Sequence, residues 1–201
     1  MDFWFEFAST YSYLAIMRIE AEAAKREVVL RWRPFLLGPI FAAQGWHTSP
    51  FAIYPAKGRY MWRDLERRAA RYGLPFRRPA ADDPRVFPQH SVHAARIALR
   101  ALEEPWGTRF CRDVFRAEFA EGSDISDAAL LQTLVARHAD PAPVMAAALS
   151  DENKQRLRGN VEEAQALGIF GAPSFTVGEE LFWGDDRLED ALDWAVAARA
   201  V

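Results

Sequence analysis

The pattern of hydrophobic and polar positions changes character several times along the chain. Residues 3–7 form an aromatic-rich run typical of a β-strand, and the apolar residues that follow recur near helical spacing as far as Ala24. Residues 28–33 form a second strand-like run, which Pro34 ends. A strand, a helix and a strand in so short a stretch predict a βαβ unit with parallel strands and a right-handed crossover.

The middle of the chain carries two different patterns. Between residues 35 and 55, glycine and proline break the periodicity while several large aromatic rings occur. This long loop is either functional, for example as a lid, or pinned to the domain by its rings. Residues 56–167 then repeat apolar residues at helical spacing in one segment after another, which predicts an all-helical block.

The last part of the chain returns to strand-like patterns. Residues 174–177 and 180–183 are predicted to be two strands joined by a tight turn at Gly178 and Glu179. An amphipathic helix follows, and an aspartate at position 185 or 186 is suited to cap it. This ending is therefore a ββα unit.

The two ends of the chain together predict an α/β fold with one four-stranded sheet. That layout is a thioredoxin fold, βαβ…ββα, with a large all-helical insertion. We expect residues 1–36 and 168–201 to form a discontinuous thioredoxin-like domain, with residues 37–167 inserted as a helical domain.

Composition and charge exclude several classes of protein. The chain has 201 residues, half of them hydrophobic, which suits one domain or a domain with a large insertion. The net charge of −3 comes from mixed acids and bases, which argues against a nucleic-acid groove and a basic membrane-binding face. The Arg-rich run 63–78 contains acids, and predicts either a solvated helix face or a rim that attracts anions. No apolar run is long enough to cross a bilayer.

The single cysteine, Cys111, restricts the redox chemistry. One cysteine forms neither an intrachain disulfide nor a Cys-x-x-Cys pair, which excludes a disulfide oxidoreductase. Cys111 lies in an apolar helical stretch, so we expect a core residue rather than a nucleophile. The chain also starts without the basic segment of a signal peptide, and we expect it in the cytoplasm.

The turn after the first strand holds the main candidate for chemistry. Ser9 or Thr10 is suited to cap the helix that begins there, and taken alone Ser9 is best interpreted as a cap. A hydroxyl at a helix N-terminus also lies where unpaired N–H groups and the helix dipole stabilise an anion, including a thiolate. In a thioredoxin layout this turn meets the Ala172-Pro173 turn, which is the place for a cis peptide bond.

Six motifs occur in order over nearly the whole chain, at residues 5–14, 33–38, 48–51, 55–61, 171–175 and 182–188. Together they resemble the 2-hydroxychromene-2-carboxylate isomerase family, which is related to kappa-class glutathione transferases and to the disulfide-oxidase branch of the thioredoxin superfamily. Thioredoxins carry Cys-x-x-Cys at the first turn, where this sequence has Ser9-Thr10-Tyr11-Ser12. The resemblance therefore implies a thioredoxin fold that lacks the redox-active pair of cysteines.

The resemblance implies an enzyme that uses glutathione. At the position of Ser9 the family has a serine that hydrogen-bonds the glutathione sulfur and favours its thiolate. The Ala172 backbone would pair with the cysteinyl part, and Asp186 would bind the γ-glutamyl ammonium group while Asp185 acts through its N–H. The positions implied to bind glutathione are Ser9, Thr10, Tyr11, His47, Ala172, Pro173, Asp185 and Asp186.

The resemblance also implies an aromatic carboxylate as the substrate, isomerised from cis to trans to a product such as trans-o-hydroxybenzylidenepyruvate. Lys57, Arg59 and Arg33 are candidates to bind its carboxylate, and each is as readily a structural ion pair. The candidates for an aromatic pocket wall are Trp4, Phe7, Trp46, Phe51 and Tyr54. The family further implies a homodimer that binds neither nucleic acid nor membrane.

Four positions depart from the family pattern. Thr10 replaces a proline, and His47 and His90 each replace an asparagine. Asp185 stands where asparagine or serine is usual, which adds negative charge near the γ-glutamyl carboxylate. These changes bear on the substrate and on glutathione affinity rather than on the fold.

Three functions remain open at this stage. The first is a glutathione-dependent isomerase, and the second is a kappa-like glutathione transferase or peroxidase that acts on other electrophiles. The third is a non-catalytic binding protein that keeps the Pro173 turn for peptides, for which Ser9→Ala would hardly matter.

Overall fold

A computed structural model describes residues 1–80, 82–83 and 86–199. The four strands are β1 (Asp2–Phe5), β2 (Arg31–Pro34), β3 (Ser174–Val177) and β4 (Glu180–Trp183). The helices are α1 (Thr10–Ile16), α2 (Ile19–Ala24), α3 (Leu37–Ala43), α4 (Pro50–Ile53), α5 (Pro55–Tyr72), α6 (Val92–Ala101), α7 (Gly107–Arg116), α8 (Ala128–Ala136), α9 (Pro141–Leu149), α10 (Asp151–Ala166) and α11 (Leu188–Ala197). A π-helical turn, Ala117–Glu121, extends α7, and a 3-10 turn, Asp185–Arg187, precedes α11.

The strands form one sheet in the order β2-β1-β3-β4. β1 pairs in parallel with β2 and antiparallel with β3, and β3 pairs antiparallel with β4. The βαβ start and the ββα end therefore share a sheet, as predicted. The chain has the α/β thioredoxin fold, with the helices α3 to α10 between its two halves.

Three local predictions are wrong. The segment 35–55 is not a long loop, because it contains the helices α3 and α4. The second strand begins at Arg31 rather than at position 28, because the Val28 N–H bonds the Ala23 carbonyl oxygen over 2.9 Å and closes the end of α2. Neither aspartate caps α11, because the 3-10 turn separates them from its first turn and Arg187 occupies the cap position without a side-chain bond.

The sheet buries both of its faces. Phe3 and Phe175 stack on one face with their ring centroids 5.5 Å apart. On that face the hydrophobic core runs without a break into the helical block, where Phe115 lies 6.1 Å from Phe5 between ring centroids. Trp4 points to the opposite face, as the period of two requires, and packs on Phe35 below α3 and α10.

The helical block adds no helix suited to a bilayer. Among the described residues, none of the helices combines the length and the apolarity needed to cross a membrane.

Cys111 is buried and unpaired in α7, and burial raises the pKa of its thiol. The prediction of a core cysteine is therefore confirmed.

Candidate active site

One large cleft, of about 950 Å³, opens between the sheet and the helical block. Five parts of the chain line it: the first turn of α1, one face of α5, the segment 36–51 with α3 and the start of α4, the connector at 86–92, and the turns on either side of the β3–β4 hairpin. The segment that was predicted to be a long aromatic loop thus lies at the cleft. Two distant turns of the thioredoxin fold meet in it.

Ser9 joins these two turns. It is the N-cap of α1, with extended backbone (φ −89°, ψ 115°), and its Oγ accepts a hydrogen bond from the Ser12 N–H over 3.2 Å. The same hydroxyl donates to the carbonyl oxygen of Ala172 over 2.8 Å. The bond from Ala172 to Pro173 is cis, as predicted. The hydroxyl is thus placed at a helix N-terminus and at the cleft wall, next to the Ala172 backbone.

A polar stripe of α5 forms a second wall. Lys57, Tyr60, Asp64 and Arg68 follow one another at intervals of three, four and four residues, which places them on one helix face. Asp64 accepts a hydrogen bond from the Tyr11 hydroxyl over 3.1 Å. Burial, and then the Asp64 carboxylate, raise the pKa of Tyr11, so this phenol stays protonated and acts as a donor.

Arg68 continues that stripe to Asp185. The Nε and Nη2 atoms of Arg68 donate to the Asp185 Oδ2 over 3.1 and 2.7 Å, and Nη2 also donates to the Tyr72 hydroxyl over 2.9 Å. Asp185 is only 1% exposed. Burial raises its pKa to about 6, although the Arg68 charge acts in the opposite direction. The expectation that Asp185 adds bare negative charge is therefore corrected, since Arg68 pairs with it.

Asp186 lies on the cleft in a different environment. Its side chain is exposed, and its nearest cation, Arg187 Nη2, lies 3.5 Å away. Gly184 before it has φ +107°, and a Cβ there would lie 2.5 Å from the Asp186 Oδ1. The positive φ favours glycine at this position, whereas the exposed Asp186 side chain could move away from a Cβ. The turn thus presents an exposed carboxylate, paired with Arg187, next to the buried one.

The sequence analysis missed a buried carboxyl group in the cleft wall. Glu6 accepts hydrogen bonds from the backbone N–H groups of Leu37 over 2.9 Å and Ala8 over 3.4 Å, and from the Ser91 hydroxyl. Burial raises its pKa while these bonds oppose the rise. Glu6 ties the β1–α1 turn to the starts of α3 and α6. The sequence feature that could have indicated this site is an acidic residue inside an apolar, strand-like run.

The structure separates the candidate cations. Lys57 lines the cleft, whereas Arg59 and Arg33 do not. Arg33 pairs with Glu163, and its guanidinium lies 4.5 Å from the Trp4 ring centroid. The placement of Arg33 thus corresponds to the alternative of a structural ion pair. Arg68, which sequence reasoning did not single out, is a second cleft cation.

The aromatic candidates divide in the same way. Trp46 and Phe51 line the cleft, while Trp4 and Phe7 are buried in the cores. Tyr54 lies outside it, with its ring centroid 5.1 Å from the Lys57 ammonium nitrogen. His47, His90, Thr10 and Ala172 line the cleft, and Pro173 lies just behind Ala172. Five further rings in the lining were not predicted: Phe41, Tyr60, Phe87, Phe170 and Trp183.

The chain resembles known proteins over nearly its whole length. Residues 1–194 match the family described as DSBA-like thioredoxin domain. The chain belongs to this family. As a DSBA-like protein it is unusual in having serines where a redox-active member has two cysteines, so its cleft is not a dithiol site.

Relatives that match over most of the chain are named for isomerase or glutathione transferase activity rather than for disulfide chemistry. The chain is similar to a 2-hydroxychromene-2-carboxylate isomerase of Sphingobium xenophagum, 29% identical over 94% of each chain. It is similar to glutathione S-transferase kappa 2 of Caenorhabditis elegans, 28% identical over 96% of this chain and 90% of the relative. Among solved structures, it is similar to a 2-hydroxychromene-2-carboxylate isomerase with a TM-score of 0.83, 26% identity, and coverage of 99% of this chain and 95% of that one. The resemblance drawn from the sequence motifs is therefore confirmed, and an isomerase-like enzyme is supported.

Proposed function

We propose that the protein is a glutathione-dependent isomerase of aromatic carboxylates similar to 2-hydroxychromene-2-carboxylate, acting in the breakdown of aromatic compounds. The observation that carries the proposal is the Ser9 hydroxyl, held at the N-terminus of α1 and 2.8 Å from the Ala172 carbonyl oxygen on the cleft wall. Relatives named as isomerases and kappa glutathione transferases support both the reaction class and the use of glutathione.

The residues of the cleft fit glutathione by their chemistry. Ser9 offers a hydroxyl donor beside unpaired helix N–H groups, which is an environment that lowers a thiol pKa. The Ala172 backbone, before Pro173, would hold the cysteinyl part. The exposed Asp186 carboxylate would bind the γ-glutamyl ammonium group, and Arg68 offsets the charge of Asp185 beside it.

When bound, glutathione supplies a thiolate that adds reversibly to a conjugated double bond and lets the resulting single bond rotate. In the proposal, the Ser9 hydroxyl rotates so that it donates its hydrogen bond to the sulfur instead of the Ala172 oxygen, and this hydrogen bond stabilises the thiolate. Lys57 binds the carboxylate of the substrate, since it is exposed on the cleft-facing stripe of α5. Trp46 and Phe51 contribute apolar surface, and His47 offers a ring nitrogen in the same loop.

Calorimetry with glutathione tests the proposal. The wild type should bind glutathione, and thiolate absorbance should show a depressed thiol pKa that rises in Ser9→Ala. Ser150→Ala is the matched control, because Ser150 caps α10 with the same 3.2 Å bond from the N–H three residues on, far along the chain from the cleft residues. Absence of binding at millimolar glutathione would contradict the proposal.

A kappa-like transferase is the second candidate, favoured by the relative from Caenorhabditis elegans. The two activities separate on the product, because a transferase leaves glutathione attached and an isomerase releases it. Mass spectrometry of the product decides between them. If glutathione binds but Ser9→Ala leaves its affinity and thiol pKa unchanged, a binding protein becomes the better account. The proposal further includes a cytoplasmic homodimer, which light scattering and fractionation test.

A further inference from the structure

Two half-exposed aromatic rings lie together in the cleft wall. Phe170 is 46% exposed and Trp183 is 51% exposed, and their ring centroids are 4.9 Å apart with an interplanar angle of 60°. Phe170 comes just before the Ala172 turn, and Trp183 is the last residue of β4, opposite Ser174 in the sheet register. The pair thus borders the turn that holds the Ser9 hydrogen bond.

The position of the indole depends on a glycine. A Cβ on Gly171 would lie 2.3 Å from the Trp183 Nε1 and 2.9 Å from its Cε2. The indole therefore lies directly against the backbone of residue 171, closer than any side chain would allow. Since aromatic rings do not bend, Gly171 is what keeps Trp183 at the cleft wall.

An exposed aromatic ring does not by itself indicate a binding site, and a second exposed tryptophan in this chain shows the difference. Trp194 on α11 is 48% exposed and packs on Phe182 with ring centroids 6.2 Å apart, but it does not line the cleft. Trp183 has nearly the same exposure within a concave wall that also holds charged and hydroxyl groups. Apolar rings beside a few polar groups in a concavity are typical of small-ligand sites.

We propose that Phe170 and Trp183 form the face that binds the aromatic ring of the substrate. This inference rests on the proposed function and assigns its ring specificity to two residues. The two rings meet at a steep angle, so an incoming ring can contact one face and one edge, which are the favoured aromatic geometries. An unsaturated carboxylate without a ring gains nothing from this face.

Equilibrium binding tests the assignment without any catalytic step. The probes are benzylidenepyruvate and a ring-free unsaturated 2-oxo acid, titrated into the full chain by calorimetry. Phe170→Ala and Trp183→Ala should each weaken benzylidenepyruvate about 2- to 12-fold and leave the ring-free acid unchanged. Trp183→Phe should retain most of the affinity, and Trp194→Ala should match the wild type.

Two results would overturn the assignment. One is an equal loss of affinity for both probes, which would indicate a structural role for the rings. The other is an unchanged preference for the aromatic probe. If light scattering then shows that the variants alter the oligomeric state, the rings contact a second copy of the chain rather than the substrate.

Glutathione titration of the same variants separates this inference from the proposed function. If wild-type protein fails to bind glutathione while the variants lose ring preference, the proposed function fails and the ring face stands. If glutathione binds and the variants keep their ring preference, the ring face fails and the proposed function stands.

Discussion

The Ser9 hydroxyl donates to the Ala172 carbonyl oxygen across a separation of 163 positions in the chain. The Ser9 Oγ also caps α1, because it accepts a hydrogen bond from the Ser12 N–H. Ser9→Ala removes both bonds, and we expect the free energy of unfolding to fall by about 2 kcal/mol, roughly 1 for the cap and 1 for the bond to Ala172. Urea denaturation measures this loss.

The control for this measurement is Ser150→Ala, which removes a cap of the same geometry and no tertiary bond that involves its hydroxyl. It should cost about 1 kcal/mol. Equal losses in the two variants would show that the bond to Ala172 contributes nothing to stability.

Asp185 should give the protein a distinctive pH dependence. Its pKa rises from 3.8 to about 6 in the folded protein, mainly through burial. The folded chain therefore holds a proton that the unfolded chain releases, and this contribution to stability is complete below pH 4 and lost as the pH rises to about 6. We expect the difference in unfolding free energy between wild type and Asp185→Asn to change by up to about 3 kcal/mol over this range.

Urea midpoints between pH 4 and 7 measure that change. Asp186→Asn serves as the comparison, because it alters the exposed neighbour and keeps the titrating group. It should keep the shape of the wild-type profile with its midpoint at a lower pH, because the Asp186 charge contributes to the raised pKa of Asp185. Parallel profiles for wild type and Asp185→Asn would show that the Arg68 charge fully offsets the burial of Asp185.

Gly171→Ala should destabilise the protein because the new methyl group meets the Trp183 indole. Overpacking of this kind costs about 1–3 kcal/mol. In a Trp183→Ala background the clash is gone, so the same substitution should cost much less. A double-mutant cycle by urea denaturation measures the coupling.

Gly159→Ala is the matched glycine for that cycle. It lies in the middle of α10, and a Cβ there meets nothing within 4 Å, so it should stabilise the protein by about 0.5–1 kcal/mol. An equal cost of Gly171→Ala with and without the indole would contradict the close contact.

Lys57 and Arg59 allow a test of the carboxylate contact. Lys57 lies on the cleft stripe of α5 and Arg59, two residues on, lies off it. Lys57→Met should raise the dissociation constant of a carboxylate ligand about fivefold, equivalent to about 1 kcal/mol, and the loss should shrink with added salt. Arg59→Met should bind like the wild type, and equal effects of the two substitutions would assign the attraction to the net charge of α5.

The thioredoxin fold was predictable because its signals are local. An aromatic run, a proline after the second strand and the Gly178-Glu179 turn each specify structure within a few residues. The cap of α1 at Ser9 was equally local. Asp127 and Ser150 cap α8 and α10 in the same local way, since each accepts a hydrogen bond from a nearby backbone N–H.

The rest of the site depends on partners that no local pattern names. Glu6 meets Ser91 across 85 positions, and Arg68 meets Asp185 across 117. The sequence predicted for the Arg-rich run either a solvated face or an anion-attracting rim. In the structure Arg63 lies on the exposed face of α5, whereas Arg68 turns towards the cleft and pairs with Asp185. The two arginines differ only in their position around the axis of α5 relative to Lys57.

The sheet order determines when this cleft is completed during synthesis. β1 is a central strand, yet it pairs with β2 early and must wait for Ser174–Val177 to cover its other edge. A nascent chain on the ribosome therefore carries an open strand edge and half a cleft while the helical block emerges. A ligand that needs both halves of the cleft therefore binds only the finished chain, where it stabilises the folded state by mass action.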